Sequence, residues 1–280
     1  MQVAPRRSTR DVSRLTSLDP GLWAEVRDEI LARDIPWQVN YSEYQSNGWH
    51  MVSLINDTGR ALDTSIRDGV PQPTDLLLSL PATRQLLQSL RLKFFWARAV
   101  KLEPDSYIWE HVDYFELKKR GRVRLHIPLL TNERARLVLE AMSVFLAPGF
   151  LWKLDPQTIH AAANQGDTPR IHLMLDCLSD AGELPGLLAR EDLPEDYVDE
   201  LPALSERELA AVTARARDAV RLGHHERAHH LLLRLFHSYS LPPGFTLTQI
   251  VELYQNLALP AYEQEWSERK RRFMGVTPAS

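Results

Sequence analysis

The sequence predicts an α+β protein with a mainly β core, a sandwich or barrel of short strands that gives way to helices towards the C-terminus. Three observations carry this. Between residues 94 and 178, strand-like runs rich in aromatic and β-branched residues are separated by turn residues. Two of those runs, VRLHIPLL (123–130) and PRIHLMLD (169–176), echo each other, each an Arg-x-His opening an apolar strand. After Leu178 the composition becomes acidic and Pro-rich, then helical in its periodicity.

In chain order, a polar start precedes LDPGLWAEVRDEILARD. This reads as a helix capped by Asp19, with Pro20 in its first turn and Leu22, Trp23, Val26, Ile30 and Leu31 on one face. Residues 37–56 are expected to form paired strands around a Ser-Asn-Gly turn, followed by a short helix in ATRQLLQSLR. The strands then expected are KFFWARAVKL, IWEHVDYFEL, RVRLHIPLL, LVLEAMSVFLA, FLWKLD, TIHAAAN and RIHLMLDC. Ser205 and Glu208 form a capping box before a helix ending at Gly223. Further helices start near His225, Thr246 and Pro260. The expected division is an N-terminal helix/strand extension packing on the core (1–92), the β core (93–180), an acidic Pro-rich connector (181–204) and a C-terminal helical region (205–280).

Composition narrows the function classes. The 280 residues are 44% hydrophobic, ample for a large core, and the net charge of -4 lacks the basic excess of a nucleic-acid binder. No secretory apolar run and no 18-residue apolar stretch is present, so no membrane association is expected. A single cysteine, Cys177, excludes an internal disulfide framework and suits a reducing cytoplasm. Any metal would therefore be held by His and carboxylate.

The pair His111 and Asp113 in IWEHVDYFEL has the spacing of two ligands on one strand face. By chance alone the composition would supply about 1.3 His-x-acid spacings, and the chain has two, so context must decide. The echo supplies context. His160 precedes Arg170 much as His111 precedes Arg124, and a jelly roll built of equivalent halves would set these elements on facing walls of one cavity. Arg170 shares a strand face with His172, and Arg124 with His126; cations turned inward on apolar strands call for an anionic partner such as a dicarboxylate. The bland reading is that each arginine is solvated. Together, His-x-Asp, a distal His and an Arg supply ligands for ferrous iron and a guanidinium for a second carboxylate.

With these residues in view, the chain from roughly residue 37 onward resembles the Fe(II)- and 2-oxoglutarate-dependent aspartyl/asparaginyl β-hydroxylase family, nearest its bacterial L-proline cis-4-hydroxylase branch. The resemblance lies in HVDYFEL, RLHIPLLTN and LWKLDPQTIHAAANQGDTPRIHLMLD, with weaker support from NYSEYQSNGWHMVSLINDTGR. It implies a double-stranded β-helix (jelly roll, cupin-like), with His111, Asp113 and His160 as iron ligands and Arg170 holding the distal carboxylate of 2-oxoglutarate. Arg124 and His126 match the family's second basic pair, near the cosubstrate or the substrate carboxylate. Arg98 matches a basic position that could hold either acid, against the alternative of a surface salt bridge. His172 would line the pocket, and Trp152 would be a cavity wall or plain core.

The activity implied uses Fe(II), 2-oxoglutarate and O2, with ascorbate in support, to hydroxylate an unactivated carbon and release succinate and CO2. Retention of Asp113 argues for hydroxylation over halogenation. The substrate expected first is free L-proline; another free amino acid, a carrier-bound residue or a peptidyl Asp or Asn stays open. The C-terminal helices are expected either to cover the site or to mediate self-association as a homo-oligomer. The rival is a zinc metallopeptidase through GHHERAHH, where His225, Glu226 and His229 satisfy HExxH and Glu252 could be a third ligand. Gly223 places that motif in an opening helical turn, which counts against it. A cupin-like domain without chemistry is the third reading, and the presence of His111, Asp113, His160 and Arg170 together disfavours it.

Overall fold

Two antiparallel sheets face one another, and side-chain alternation along their strands decides what each face carries. The computed structural model describes residues 11–113, 122–139 and 141–276. The strands are β1 Val12–Ser17, β2 Gln38–Val39, β3 Trp49–Asn56, β4 Gln72–Pro73, β5 Phe94–Leu102, β6 Ser106–His111, β7 Arg122–Leu130, β8 Ala135–Leu139, β9 Met142–Val144, β10 Phe150–Leu154, β11 His160–Asn164, β12 Arg170–Leu178 and β13 Val198–Glu200. The helices are α1 Pro20–Ala32, α2 Asp75–Leu78, α3 Pro81–Ser89, α4 Leu184–Leu188, α5 Glu206–Arg221, α6 His225–Leu233, α7 Phe245–Asn256 and α8 Pro260–Phe273.

Among the described residues the large sheet runs β1-β10-β7-β12-β5-β3-β2, with β4 on β3, and the small sheet runs β13-β9-β8-β11-β6. From β5 to β12 the chain crosses repeatedly between sheets, giving β5, β12, β7 and β10 to one and β6, β11, β8 and β9 to the other. That winding is the double-stranded β-helix.

Both faces of the large sheet are covered. Ile171, Leu173, Leu175 and Cys177 of β12 join Leu125, Ile127 and Leu129 of β7 in one apolar cluster with Val26 and Ile30 of α1 and Leu86 and Leu87 of α3. The alternate residues, including Arg98, Arg124, His126, Arg170 and His172, therefore look towards the small sheet. On the far side of the small sheet, Tyr107, Trp109, Ala161 and Ala163 pack with Ala216, Leu232, Ile250 and Trp266 of the C-terminal helices.

Local chemistry sets the helix ends. The Asp19 carboxylate accepts from the Leu22 N–H at 2.8 Å, and Ser205 with Glu208 forms the reciprocal capping box. At the other end of α5, Gly223 has φ +81°. Its N–H donates to Val220 and that of His224 to Ala219, so a left-handed residue closes the helix just before the His-rich stretch.

Several expectations are corrected. The polar start contains β1, which pairs with β10 at the sheet edge. LVLEAMSVFLA is not one strand but the β8–β9 pair. The acidic connector contains α4 and β13, the latter paired with β9. The strand expected over IWEHVDYFEL ends at His111, and its portion from Tyr114 onward lies outside the described residues. The two echoing strands do not face each other across a cavity. They are hydrogen-bonded neighbours, with Asp176 opposite Arg124 and Met174 opposite His126, so their Arg-x-His openings lie at opposite ends of one sheet face.

Candidate metal centre

His111 reaches the interior because β6 is irregular. His160 pairs with His111 and Ala162 with Ile108, so β6 carries one more residue than β11 over this interval. Ile108 faces inward, in contact with Leu102 and Ala162. Strict alternation would send His111 outward; the bulge restores it to the inner side and turns Glu110 towards the helices. Buried Glu110 accepts from the N–H groups of Gly244 (2.8 Å) and Thr246 (3.1 Å), capping α7. Asp113 lies beyond the strand, its N–H donating to the Pro156 carbonyl at 2.9 Å; the Val112 N–H donates to Phe273 at the end of α8 at 2.8 Å.

His111, Asp113 and His160 each offer a ligand atom within 4.8 Å of the others, and all three are buried. His111 Nε2 is 3.8 Å from Asp113 Oδ1, and His160 Nε2 is 3.6 Å from Asp113 Oδ2. Both imidazoles are oriented from behind. His111 Nδ1 lies 2.7 Å from the Trp109 carbonyl and His160 Nδ1 2.8 Å from the Thr158 carbonyl. A carbonyl only accepts, so each Nδ1 carries a proton and each Nε2 faces the carboxylate. Burial and the neighbouring His160 hold His111 down to about 4, which keeps it neutral. Burial pushes the Asp113 carboxyl up, but Arg124, His160 and His111 outweigh it and hold it down to about 2. Two imidazoles that turn their Nε2 atoms to one ionised carboxylate, converging and pre-oriented, fit a divalent first-row ion.

The facing sheet supplies cations. Arg170 at the start of β12 is 7% exposed, and its guanidinium Nε lies 3.1 Å from His172 Nε2. Among the described residues no carboxylate pairs with it, and burial alone holds it down to about 10. Arg98 of β5 is 2% exposed. One Nη donates to the Thr64 carbonyl at 3.3 Å, and its Nε has no hydrogen-bond partner among the described residues. It is therefore not a surface salt bridge. Among the described residues neither ring nitrogen of His126 has a hydrogen-bond partner, and burial with Arg170 and Arg124 holds it well below 6.5.

Two placements differ from expectation. Arg124, expected near the cosubstrate, is occupied by protein carboxylates: Nε donates to Asp176 Oδ1 at 2.8 Å, Nη2 to Asp176 Oδ2 at 3.2 Å, and Nη1 to Asp113. Trp152, entertained as a cavity wall, is wholly buried among Val12, Leu137, Leu139 and Val144, with its indole N–H on the Ala147 carbonyl at 3.0 Å, and leaves no surface for a ligand. Asp176 was missed. The available signal was its alternation with Arg170 and His172 along RIHLMLD.

The model of the Aspartyl/Asparaginyl beta-hydroxylase family matches residues 22–180. The chain belongs to this family. Among its relatives, an L-proline cis-4-hydroxylase of Rhizobium meliloti (strain 1021) is 31% identical over 144 residues, 49% of this chain and 50% of that protein. The aligned part thus spans half that relative's length. An L-proline cis-3-hydroxylase 1 of a Streptomyces species is 24% identical over 258 residues, 82% of this chain and 85% of its own. Of the solved structures, a Pseudomonas putida prolyl-4-hydroxylase has 17% identity and a TM-score of 0.39, covering 59% of this chain and 90% of that one.

The family's match ends before the HExxH stretch, and geometry assigns that stretch a packing role. α6 begins at His225, and the Tyr254 hydroxyl lies 2.9 Å from His225 Nδ1 and 2.7 Å from His229 Nε2. The phenol thus occupies the place between the imidazoles that zinc would need. His229 packs against Trp266 and is held down to about 3, chiefly by burial. Among the described residues, the cluster that could hold a metal is His111, Asp113 and His160. No helix there is long and apolar enough to cross a membrane.

Proposed function

We propose that this protein is an Fe(II)- and 2-oxoglutarate-dependent dioxygenase that hydroxylates an unactivated carbon of a free amino acid, with L-proline the first candidate, releasing succinate and CO2. The observation that carries this reading is the pairing of a pre-oriented His-Asp-His cluster with two buried guanidiniums, Arg170 and Arg98, that have no carboxylate partner among the described residues. His111 Nε2, an Asp113 oxygen and His160 Nε2 would hold the ion. When bound, the iron supplies O2 activation coupled to decarboxylation of the oxo acid.

The chain's own residues do the positioning. Arg170 binds the far carboxylate of 2-oxoglutarate, and neutral His126 offers it an N–H. Arg98 takes the carboxylate of the amino acid. Beside it on the same sheet face, Met51, Val100 and Met174 form an apolar cluster flanked by Tyr41 and Trp49, suited to a hydrocarbon ring. A free carboxylate is what Arg98 demands, which favours a free amino acid over a carrier-bound or internal peptidyl residue. The names of the proline hydroxylase relatives support proline.

The test is succinate release from purified protein with Fe(II), 2-oxoglutarate and ascorbate against a panel of free amino acids. Succinate rising with one amino acid, together with a product heavier by one oxygen, is the expected result. Succinate that no free amino acid raises, while a peptide or carrier-bound residue does, would overturn the substrate assignment.

A further inference from the structure

We propose that Asp176 is a positioning residue for the metal centre, acting through Arg124 on the carboxylate of Asp113. The inference rests on the reading of His111, Asp113 and His160 as ligands and extends it to the opposite sheet.

Asp176 is 1% exposed, on β12 opposite Arg124 of β7. Its two oxygens engage Nε and Nη2 of the guanidinium, the planar bidentate arrangement that fixes an arginine in orientation as well as distance. The remaining terminal nitrogen, Nη1, is thereby aimed at Asp113 Oδ2. Among the described residues this is the one hydrogen bond to the Asp113 side chain, whose backbone lies beyond the end of β6 and is held by its N–H on the Pro156 carbonyl. The ligand carboxylate is thus held in place from the facing sheet. Its two oxygens become inequivalent, because Oδ2 is engaged by the guanidinium while Oδ1 is free of it.

Charge gives a second reason. Asp113, Arg124 and Asp176 are all buried, two carboxylates about one guanidinium, and together carry one net negative charge. A divalent cation entering there meets a compensating field. Without Asp176, the guanidinium would have Asp113 as its sole counter-ion and would compete with the metal for it, in a cluster with no net charge. Asp176 therefore both orients Arg124 and weakens its hold on Asp113. β12 in this way serves the site twice, with Arg170 at one end and Asp176 six residues on.

The experiment is anaerobic Co(II) titration without 2-oxoglutarate, followed through the Co(II) ligand-field spectrum, on the parent and on Asp176→Asn, Asp176→Glu and His160→Ala. Thermal unfolding of each metal-free protein is measured in parallel. Asp176→Asn is expected to weaken Co(II) by about 10- to 100-fold and to alter the spectrum, the scale seen when partners of ligands are removed. Asp176→Glu should recover part of the affinity. Parent-like Co(II) affinity and spectrum in Asp176→Asn, with binding abolished in His160→Ala, would overturn the positioning role while leaving the ligand set intact. Unaltered Co(II) binding in His160→Ala would instead overturn the ligand set. If Asp176→Asn and Asp176→Glu lose affinity equally and both lose the cooperative thermal transition, Asp176 is a folding residue and the proposal fails.

Discussion

Replacing Arg170 with Met should make the metal-free protein more stable while removing its hold on 2-oxoglutarate. Burial alone lowers this guanidinium from its ordinary range to about 10, and no carboxylate among the described residues compensates it. At 1.36 kcal/mol per pKa unit, that is about 3 kcal/mol of folding free energy forgone at neutral pH. The sign follows from proton counting. With the folded value below the unfolded one, the cost is full below about 10 and fades as pH rises above it, so stability rises with pH there. Met keeps the apolar stem's volume and removes the charge, so urea unfolding of apo Arg170→Met should give about 1 to 3 kcal/mol more stability than the parent, allowing for imperfect repacking. Cosubstrate binding should fall by about 2 to 5 kcal/mol, at least roughly 30-fold, since a carboxylate would lose its buried partner. Equilibrium binding of 2-oxoglutarate to the Mn(II)-loaded protein reads this directly. A variant that is less stable than the parent and saturates at the same 2-oxoglutarate concentration would refute the reasoning on both counts.

Three further outcomes are expected. His160→Ala should abolish turnover, whereas His225→Ala, on the helix that packs against Tyr254, should leave it intact; steady-state succinate release distinguishes them. Arg98→Gln should raise the KM for the amino acid by about tenfold or more, as loss of a charge-assisted contact requires, with the KM for 2-oxoglutarate unchanged. Among the described residues His237 is buried without hydrogen-bond partners, and it is held down to about 3 by burial and Arg234. Its contribution to stability is full above the unfolded value near 6.5 and is lost as pH falls towards 3, by about 5 kcal/mol at the limit. His237→Phe should accordingly show a shallower decline of urea midpoint with acidification than the parent.

What could be read from the sequence was local chemistry and period. Asp19 and the Ser205–Glu208 box announce helix starts because their bonds span three residues, and β12 is legible because its inner and outer faces differ in kind along one strand. The β6 bulge was not legible, since an additional residue exists only relative to β11, and no feature of IWEH marks it. The same holds for Arg124. Its spacing suits a cosubstrate contact, and only the antiparallel register of β7 against β12 sets it opposite Asp176. β1 escaped notice because an edge strand with Ser13, Arg14 and Thr16 between its apolar residues lacks a continuous apolar signal.

The cap that Glu110 places on α7 also sets an order of events on the ribosome. The strand bearing Glu110 and His111 is synthesised 134 residues ahead of Gly244 and 136 ahead of Thr246, the groups that satisfy its carboxylate. At about 5 to 20 residues per second, that interval is roughly 7 to 27 seconds. Once β13 is made, both sheets can close, and from then until α7 emerges the acid beside the first histidine lacks the protein donors that hold the strand end in its buried position. Metal capture by the nascent chain then waits for the helices, and a chain cut short before α7 would leave the ribosome with all three candidate ligands yet without a finished place for the ion.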